Sequence, residues 1–490
     1  MRASGILMHI SSLPSPYGIG TMGKAAYQFA DFLHSAGQHY WQILPIGPTG
    51  LGDSPYQSVS SCAGNPYFID PDLLVEDGLL LLQEAEAVKN AVQGERVDYG
   101  FQYSVRYELL YKAFLRGSDR YTREIDRFRK EQAWVEDYAL FMAIKRSRDM
   151  MPWNTWPEEI RFRKTGAAET YATVLAEDMN FFIFMQFLFF RQWNALHKYV
   201  KSLGMEIIGD LPIYVPYDSC DVWANPELFR LEKDGTPTAV AGCPPDYFAE
   251  DGQLWGNPLY DWDKMRLDGY RWWIKRVRAA SELFDVIRID HFRGLESYWS
   301  VPYGDETARN GKWVKGPGED FIRALQREFP DLKLIAEDLG FLTPEVIALQ
   351  KFSGYPGMKV LEFAFDPREP SNYLPHRYER NCICYSGTHD NETLAQWLSA
   401  QSDEVLSYVC EYLGVSDRKD CHWAILRSGM ASVADTFIAQ MQDYLELGAE
   451  GRMNEPSTLG TANWSWRVDA SMLTPELAKK IKRLTTLYER

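Results

Sequence analysis

Seven cysteines are scattered along 490 residues, and no two of them stand as Cys-x-x-Cys. Cys382 and Cys384 are spaced for one face of a strand, and the eight histidines form no cluster. Structural zinc and a disulfide scaffold are therefore disfavoured. Long Lys/Arg runs are missing too, and 52 basic residues face 68 acidic ones for a net charge of −16. A nucleic-acid binder would show a basic stripe, so no nucleic-acid partner is expected and a neutral substrate fits best. The most apolar run, Phe181 to Phe190, is broken by Gln186 and is too short to span a bilayer. It reads as a core helix, and no membrane partner is expected. The start, Met1-Arg-Ala-Ser-Gly-Ile-Leu-Met-His-Ile10, lacks the apolar stretch and cleavage site of a signal peptide. The expectation is a reduced, soluble, cytoplasmic protein without internal repeats or low-complexity linkers.

Aromatic residues, by contrast, are abundant: 14% of the chain, with 16 Trp and 28 Tyr. Most belong to a large core, but aromatic faces also pack on the apolar faces of sugar rings, so a carbohydrate is an early candidate. Short apolar runs ending in Gly, Pro, Asp or His recur at Gly5–Ile10, Tyr40–Ile46, Glu206–Leu211, Val286–Asp290, Lys333–Glu337, Met358–Phe363, Cys382–Ser386 and Phe437–Leu445. Helical patterns separate many of them, as at Ala25–Ala36, Trp272–Ala280, Phe321–Phe329 and Pro344–Phe352. Alternating strands and helices imply a parallel sheet, and eight such strands imply an α/β chain folded as a (β/α)8 TIM barrel. The spacing is uneven, so subdomains should be inserted in the βα connections. The expected division is 1–54 for the barrel start, 55–204 for a mainly helical insertion, 205–216 for a barrel strand, 217–256 for an aromatic lid and 257–490 for the rest of the barrel. Within the first insertion, helices are expected at Tyr103–Leu115, Ile125–Ser147 and Asn180–Leu203.

The chemistry concentrates at three strand ends. In Asp285-Val-Ile-Arg288-Ile-Asp290-His-Phe-Arg-Gly294, strand alternation puts Val286, Arg288 and Asp290 on one face. A buried arginine and aspartate there form either a structural ion pair or a site, and this segment alone does not choose. The second end is Ala336-Glu337-Asp338-Leu-Gly340, and the third is Gly387-Thr-His389-Asp390-Asn391. The three acids lie about 50 residues apart, as strands of one barrel would, and in that fold the strand ends converge on one rim.

These three motifs resemble the catalytic motifs of the 4-α-glucanotransferases, the amylomaltase or disproportionating-enzyme family related to the α-amylase barrels. Other similar segments are His9-Ile-Ser-Ser-Leu-Pro14, Leu44-Pro-Ile-Gly-Pro48, Asp53-Ser-Pro-Tyr56, Gly209-Asp210-Leu-Pro212, Pro244-Pro-Asp-Tyr247-Phe248, Gly252-Gln-Leu-Trp255-Gly-Asn257-Pro258 and Asn463-Trp464-Ser-Trp466-Arg467. The resemblance implies Asp290 as nucleophile, Glu337 as general acid/base and Asp390 as stabiliser of the transition state. It implies maltooligosaccharides and α-1,4-glucans as donor and acceptor, with no cofactor and no metal. Retaining transfer of this kind uses two carboxyl groups about 5–5.5 Å apart. Arg288 is expected to lower the pKa of Asp290, and partial burial to raise that of Glu337. As substrate contacts, Tyr56 is expected to stack on a donor sugar, Asp210 and His389 to hold hydroxyl groups, and Tyr247, Phe248 and Trp255 to form a lid over the acceptor. Asn257 is either a contact or a turn residue before Pro258.

Two departures from the family pattern stand out. Ala249-Glu250-Asp251 is more acidic than expected in the lid, and Ser457 stands where glycine is expected. An α-glucan hydrolase on the same barrel is the alternative, since catalytic carboxylates are common to both and acceptor choice separates them. The lid favours transfer, because a covered site excludes water. A non-catalytic glucan-binding protein would need one acid to be missing, and all three are present.

Overall fold

The computed structural model describes residues 2–50, 52–245, 250–340 and 342–490. Among the described residues twelve strands run in chain order: β1 (Ala3–Leu7), β2 (Tyr40–Gln42), β3 (Glu206–Leu211), β4 (Ala239–Cys243), β5 (Gln253–Pro258), β6 (Val286–Ile289), β7 (Ser297–Pro302), β8 (Lys312–Lys315), β9 (Lys333–Ala336), β10 (Gly357–Val360), β11 (Cys382–Tyr385) and β12 (Thr436–Gln440). Eight of them pair in parallel in the order β10-β11-β12-β1-β2-β3-β6-β9. The two outer strands of that order meet where the Ala336 N–H donates to the Pro356 carbonyl at 2.9 Å, which nearly closes the sheet into a barrel. All eight strands sit inside or against the apolar runs expected to form them.

Strand alternation divides the residues between two environments. Leu7, Ile208, Val286, Ile335, Met358, Val360, Ile383, Tyr385 and Ile438 pack together inside the barrel. Their sequence neighbours Ile6, Ile207, Ile287, Leu334, Cys384 and Phe437 belong instead to the large core under the surrounding helices. Polar residues continuing the inner face past the apolar layer therefore emerge at the C-terminal rim. The outer helices carry ordinary stop and start signals. In Pro344–Ser353, for example, Thr343 caps the Val346 N–H, Pro344 occupies the first turn, and Gly354 ends the helix at φ 69°.

Residues 71–202 are helical for most of their length. The long helix Ala176–Ser202 carries the Phe181–Phe190 run, all of it buried. Among the described residues, no single helix is long and apolar enough to cross a membrane. The helix expected over Ile125–Ser147 is instead two, Thr122–Glu131 and Val135–Ser147. No proline or glycine marks the break. Phe128 and Trp134 both pack on Phe190, at 5.5 and 5.8 Å between ring centroids. Residues six apart on one straight helix point about 120° away from each other, so both rings reach Phe190 only if the chain turns between them.

Strands β5-β4-β7-β8 form a second, antiparallel sheet beside the barrel rim. Where only an aromatic lid is expected over 217–256, the chain forms β4 and β5. β4 pairs with β5 on one side and on the other with β7, from beyond β6, a non-local match with no signal in the local sequence.

Candidate active site

Register builds the centre of the site. Asp210 on β3 pairs with Arg288 on β6, and both face the barrel interior. The two side chains are thereby forced together, and Arg288 Nη1 donates to Asp210 Oδ1 at 2.8 Å and Oδ2 at 2.7 Å. The same nitrogen donates to Asp290 Oδ1 at 3.0 Å. Asp210 also accepts from the Tyr56 hydroxyl at 2.8 Å. The Tyr56 ring stacks on His389, with centroids 4.9 Å apart and planes inclined by 18°. His389 Nε2 lies 3.4 Å from Asp390 Oδ2. Tyr56, Asp210, Arg288, Asp290, His389 and Asp390 therefore form one connected network across strands β3, β6 and β11.

Glu337, just past β9, is held from two sides. The His291 N–H donates to Oε2 at 2.7 Å, and the Leu339 N–H donates to Oε1 at 2.8 Å. His291 takes φ 49°, a left-handed conformation that is uncommon outside glycine. That turn brings the residue after Asp290 onto the Glu337 carboxyl.

The electrostatics separate the three acids. Burial pushes Asp290 up to about 6; Arg288 pulls against this, while Asp210 adds to the rise. Here the expectation of a lowered Asp290 fails. Arg288 spends two of its three carboxylate contacts on Asp210, so too little positive field is left to offset desolvation. Burial also takes Glu337 up to about 7, with Asp290 adding to it against the opposing pull of Arg288 and the two backbone N–H groups. Burial would raise Asp390 as well, but His389 and the amide of Asn454 outweigh it and bring that carboxyl down to about 2. His389 is raised in turn, since Asp390 outweighs the effect of its burial.

The remaining predicted residues sit further out. Trp255, on β5, meets His291 edge to face at 4.8 Å and so borders the rim. Asn257 is a buried strand residue rather than a turn, and its Oδ1 accepts from Gln57 Nε2 at 3.5 Å. Tyr247 and Phe248 lie outside the described residues. The acids of the lid motif, Glu250 and Asp251, pair with Arg309 at 2.8 and 2.5 Å. Two neighbours escape sequence reasoning. Asn454 Nδ2 donates to Asp390 Oδ1 at 2.7 Å. Trp464 packs near both Tyr56 and His389, at 5.9 and 5.8 Å. Trp464 stands in a segment that resembles the family, which was the available signal; Asn454 had none. Among the described residues, no group of three or more His, Cys, Asp or Glu is arranged to hold a metal ion.

A family model described as 4-alpha-glucanotransferase matches residues 8–473. The 4-alpha-glucanotransferase of Clostridium butyricum is 47% identical over 486 residues, which cover 99% of this chain and 100% of that one. That of Thermus thermophilus is 46% identical over 100% of this chain and 99% of its own. Among solved structures, an amylomaltase from Streptococcus agalactiae in complex with acarbose superposes with a TM-score of 0.97 at 40% identity, covering 100% of both chains. An amylomaltase from Corynebacterium glutamicum shares the fold at 19% identity, with a TM-score of 0.80 over 100% of this chain and 75% of that one.

Proposed function

The chain belongs to the 4-alpha-glucanotransferase family, and from that premise we propose how its residues carry the transfer of α-1,4-glucan segments between maltooligosaccharides. Asp290 attacks the anomeric carbon of the donor while Glu337 gives its proton to the departing glycosidic oxygen. The result is a glucosyl ester on Asp290 and a free 4-hydroxyl on the released segment. Glu337, now ionised, takes the proton of an incoming glucan hydroxyl, which attacks the ester and restores Asp290. Configuration is inverted twice and so retained. Asp390 stays anionic throughout and faces the positive charge that develops on the sugar ring.

The observation that supports this reading best is a backbone hydrogen bond that bridges the two reacting acids. The His291 N–H, next to Asp290, holds Glu337 Oε2 at 2.7 Å. That contact ties the positions of the two reacting carboxyls to each other. Their environments also suit the two roles: an acid raised to about 7 is available to donate at neutral pH, while Asp290, at about 6, is mostly ionised there.

Tyr56, Asp210 and His389 fit a donor site in which a sugar meets an aromatic and hydroxyl-binding wall. Trp255 fits the acceptor side, with Tyr247 and Phe248 as partners in the lid. Asn257 acts there through Gln57. Full-length relatives named as transferases favour transfer over hydrolysis. We assign residues 55–204 and 217–256 to the insertions that frame this site. A cytoplasmic setting fits scattered cysteines kept reduced.

Incubation with maltotriose tests the reading. The expected products are glucose and a ladder of longer maltooligosaccharides, with total reducing ends nearly constant. Reducing ends that climb in step with glucose would mean hydrolysis. Asp290→Asn should abolish turnover yet still bind maltooligosaccharide in calorimetry; near-normal turnover in that variant would remove Asp290 from the nucleophile's role.

A further inference from the structure

The antiparallel sheet presents a row of side chains unconnected with the carboxylates. Trp313 on β8 pairs directly with Trp299 on β7, Trp299 pairs with Gly242 on β4, and Gly242 pairs with Leu254 on β5. Directly paired residues share a sheet face, so Trp313, Trp299 and Leu254 point to one face along a line, with Gly242, which has no side chain, between the last two. With strands about 4.8 Å apart the line spans roughly 14 Å, the length of a short oligosaccharide.

Trp313 is 40% exposed and Leu254 38% exposed, at the two ends of the line. The two tryptophan rings meet edge to face, with centroids 5.1 Å apart and planes at 68°. One face of Trp313 is covered: the Arg293 guanidinium carbon lies 3.8 Å from its ring centroid. Arg293 is itself buried and donates to Ser297 Oγ at 3.3 Å. The Trp299 indole N–H is taken by the Ala308 carbonyl at 2.9 Å. Both rings are therefore fixed before any ligand arrives, and little rotamer entropy remains to be lost on binding.

A flat aromatic ring, held on one face by a cation and 40% exposed, matches the apolar C–H face of a glucose ring. A protein partner is a poorer match, since a stable interface needs about 800 Å² on each side. Leu254 and Trp255 are consecutive on β5 and so point to opposite faces, which sets the row on the face away from Trp255 and the His291 ring it packs on. Lys315 on β8 is paired with Glu296.

We propose that Trp313, backed by Arg293 and cornered by Trp299, is a secondary platform that holds a long α-1,4-glucan chain outside the catalytic cleft. The proposal rests on the glucan-transfer reading, and its effect grows with chain length. Native gel electrophoresis through amylose or glycogen tests it, with Trp313→Ala, Trp313→Leu and the conservative Trp313→Phe compared with the parent protein. The Ala and Leu variants should lose about three- to tenfold in apparent glucan affinity, and Phe should recover part of it. Disproportionation of maltotriose should stay at the parent rate in all three, while KM for long amylose rises by a similar factor at unchanged kcat. Retardation of Trp313→Leu equal to the parent, or an equal loss on maltotriose and amylose, would overturn the platform. If the parent itself failed to disproportionate maltotriose, the transfer reading would fall instead. Retardation of the parent by a non-glucan polymer would show a non-specific surface and also overturn it.

Discussion

At the scale of single residues, the reaction depends on which carboxyl keeps its proton. Arg288 is shared between Asp210 and Asp290, and the better geometry goes to Asp210. In the proposed mechanism Asp290 attacks as the anion, so the rate should fall as pH drops through about 6. There Glu337 donates as the acid, so the rate should also fall as pH rises through about 7. The expected profile of kcat/KM for maltotriose is therefore a narrow bell with its maximum between the two values, whose limbs belong to the coupled pair. A flat profile from pH 5 to 9 would exclude this pair of assignments. These residues are marked in the sequence: strand alternation puts Arg288 and Asp290 on one face, and the resemblance to the glucanotransferase motifs implies the roles of Asp290 and Glu337. The direction of the Asp290 shift is not legible there, since it depends on a contact between β3 and β6 that register decides.

At the scale of elements, the third acid hangs on a loop rather than on a strand. Asn454 donates to Asp390 Oδ1 at 2.7 Å, and Arg452 donates to the Asp390 carbonyl at 3.3 Å. The segment is pinned in turn by the Trp464 N–H on the Met453 carbonyl at 2.7 Å. Asn454 is thus a positioning residue for Asp390. Asn454→Ala should lower kcat/KM about tenfold, chiefly through kcat, because an unpositioned carboxylate stabilises the transition state less well. Its melting temperature should move by only a few degrees, since one hydrogen bond is worth about 1 kcal/mol. Equal losses in stability and activity would make the residue merely structural. Elements with strong local signals, such as the capped helix Pro344–Ser353, are readable from sequence. The break between Glu131 and Val135 and the β5-β4-β7-β8 sheet are not, because long-range contacts decide both.

At the scale of the whole molecule, the helical insertion and the barrel share one apolar core. The helix Ala176–Ser202 is also fastened to its surroundings by polar contacts. Gln186 exchanges hydrogen bonds with the Gly64 backbone at 2.8 and 2.9 Å, and the Trp193 indole donates to the Leu283 carbonyl at 3.1 Å. Asp285 accepts from Lys201 and lies against His197, each at 2.8 Å, and takes the Ile207 N–H at 2.9 Å. Burial would raise that carboxyl, but these partners outweigh it and hold it well below the usual carboxylate range. Its stabilisation is therefore full above the ordinary aspartate pKa and is lost only as pH falls on through the lowered one. Asp285→Asn should cost about 2–3 kcal/mol at pH 7 and keep most of that cost near pH 3, losing it only in stronger acid. Calorimetry should show one transition shifted as a whole; two separate transitions would mean that insertion and barrel unfold independently. By itself the sequence determined the eight-stranded barrel and the strand ends that carry the acids, because period-two patterning and turn residues act locally. Only the tertiary structure decided how Arg288 is divided, how Glu337 is gripped by His291, and which surface the second sheet presents. Each of those depends on residues far apart in the chain, brought together by register and packing.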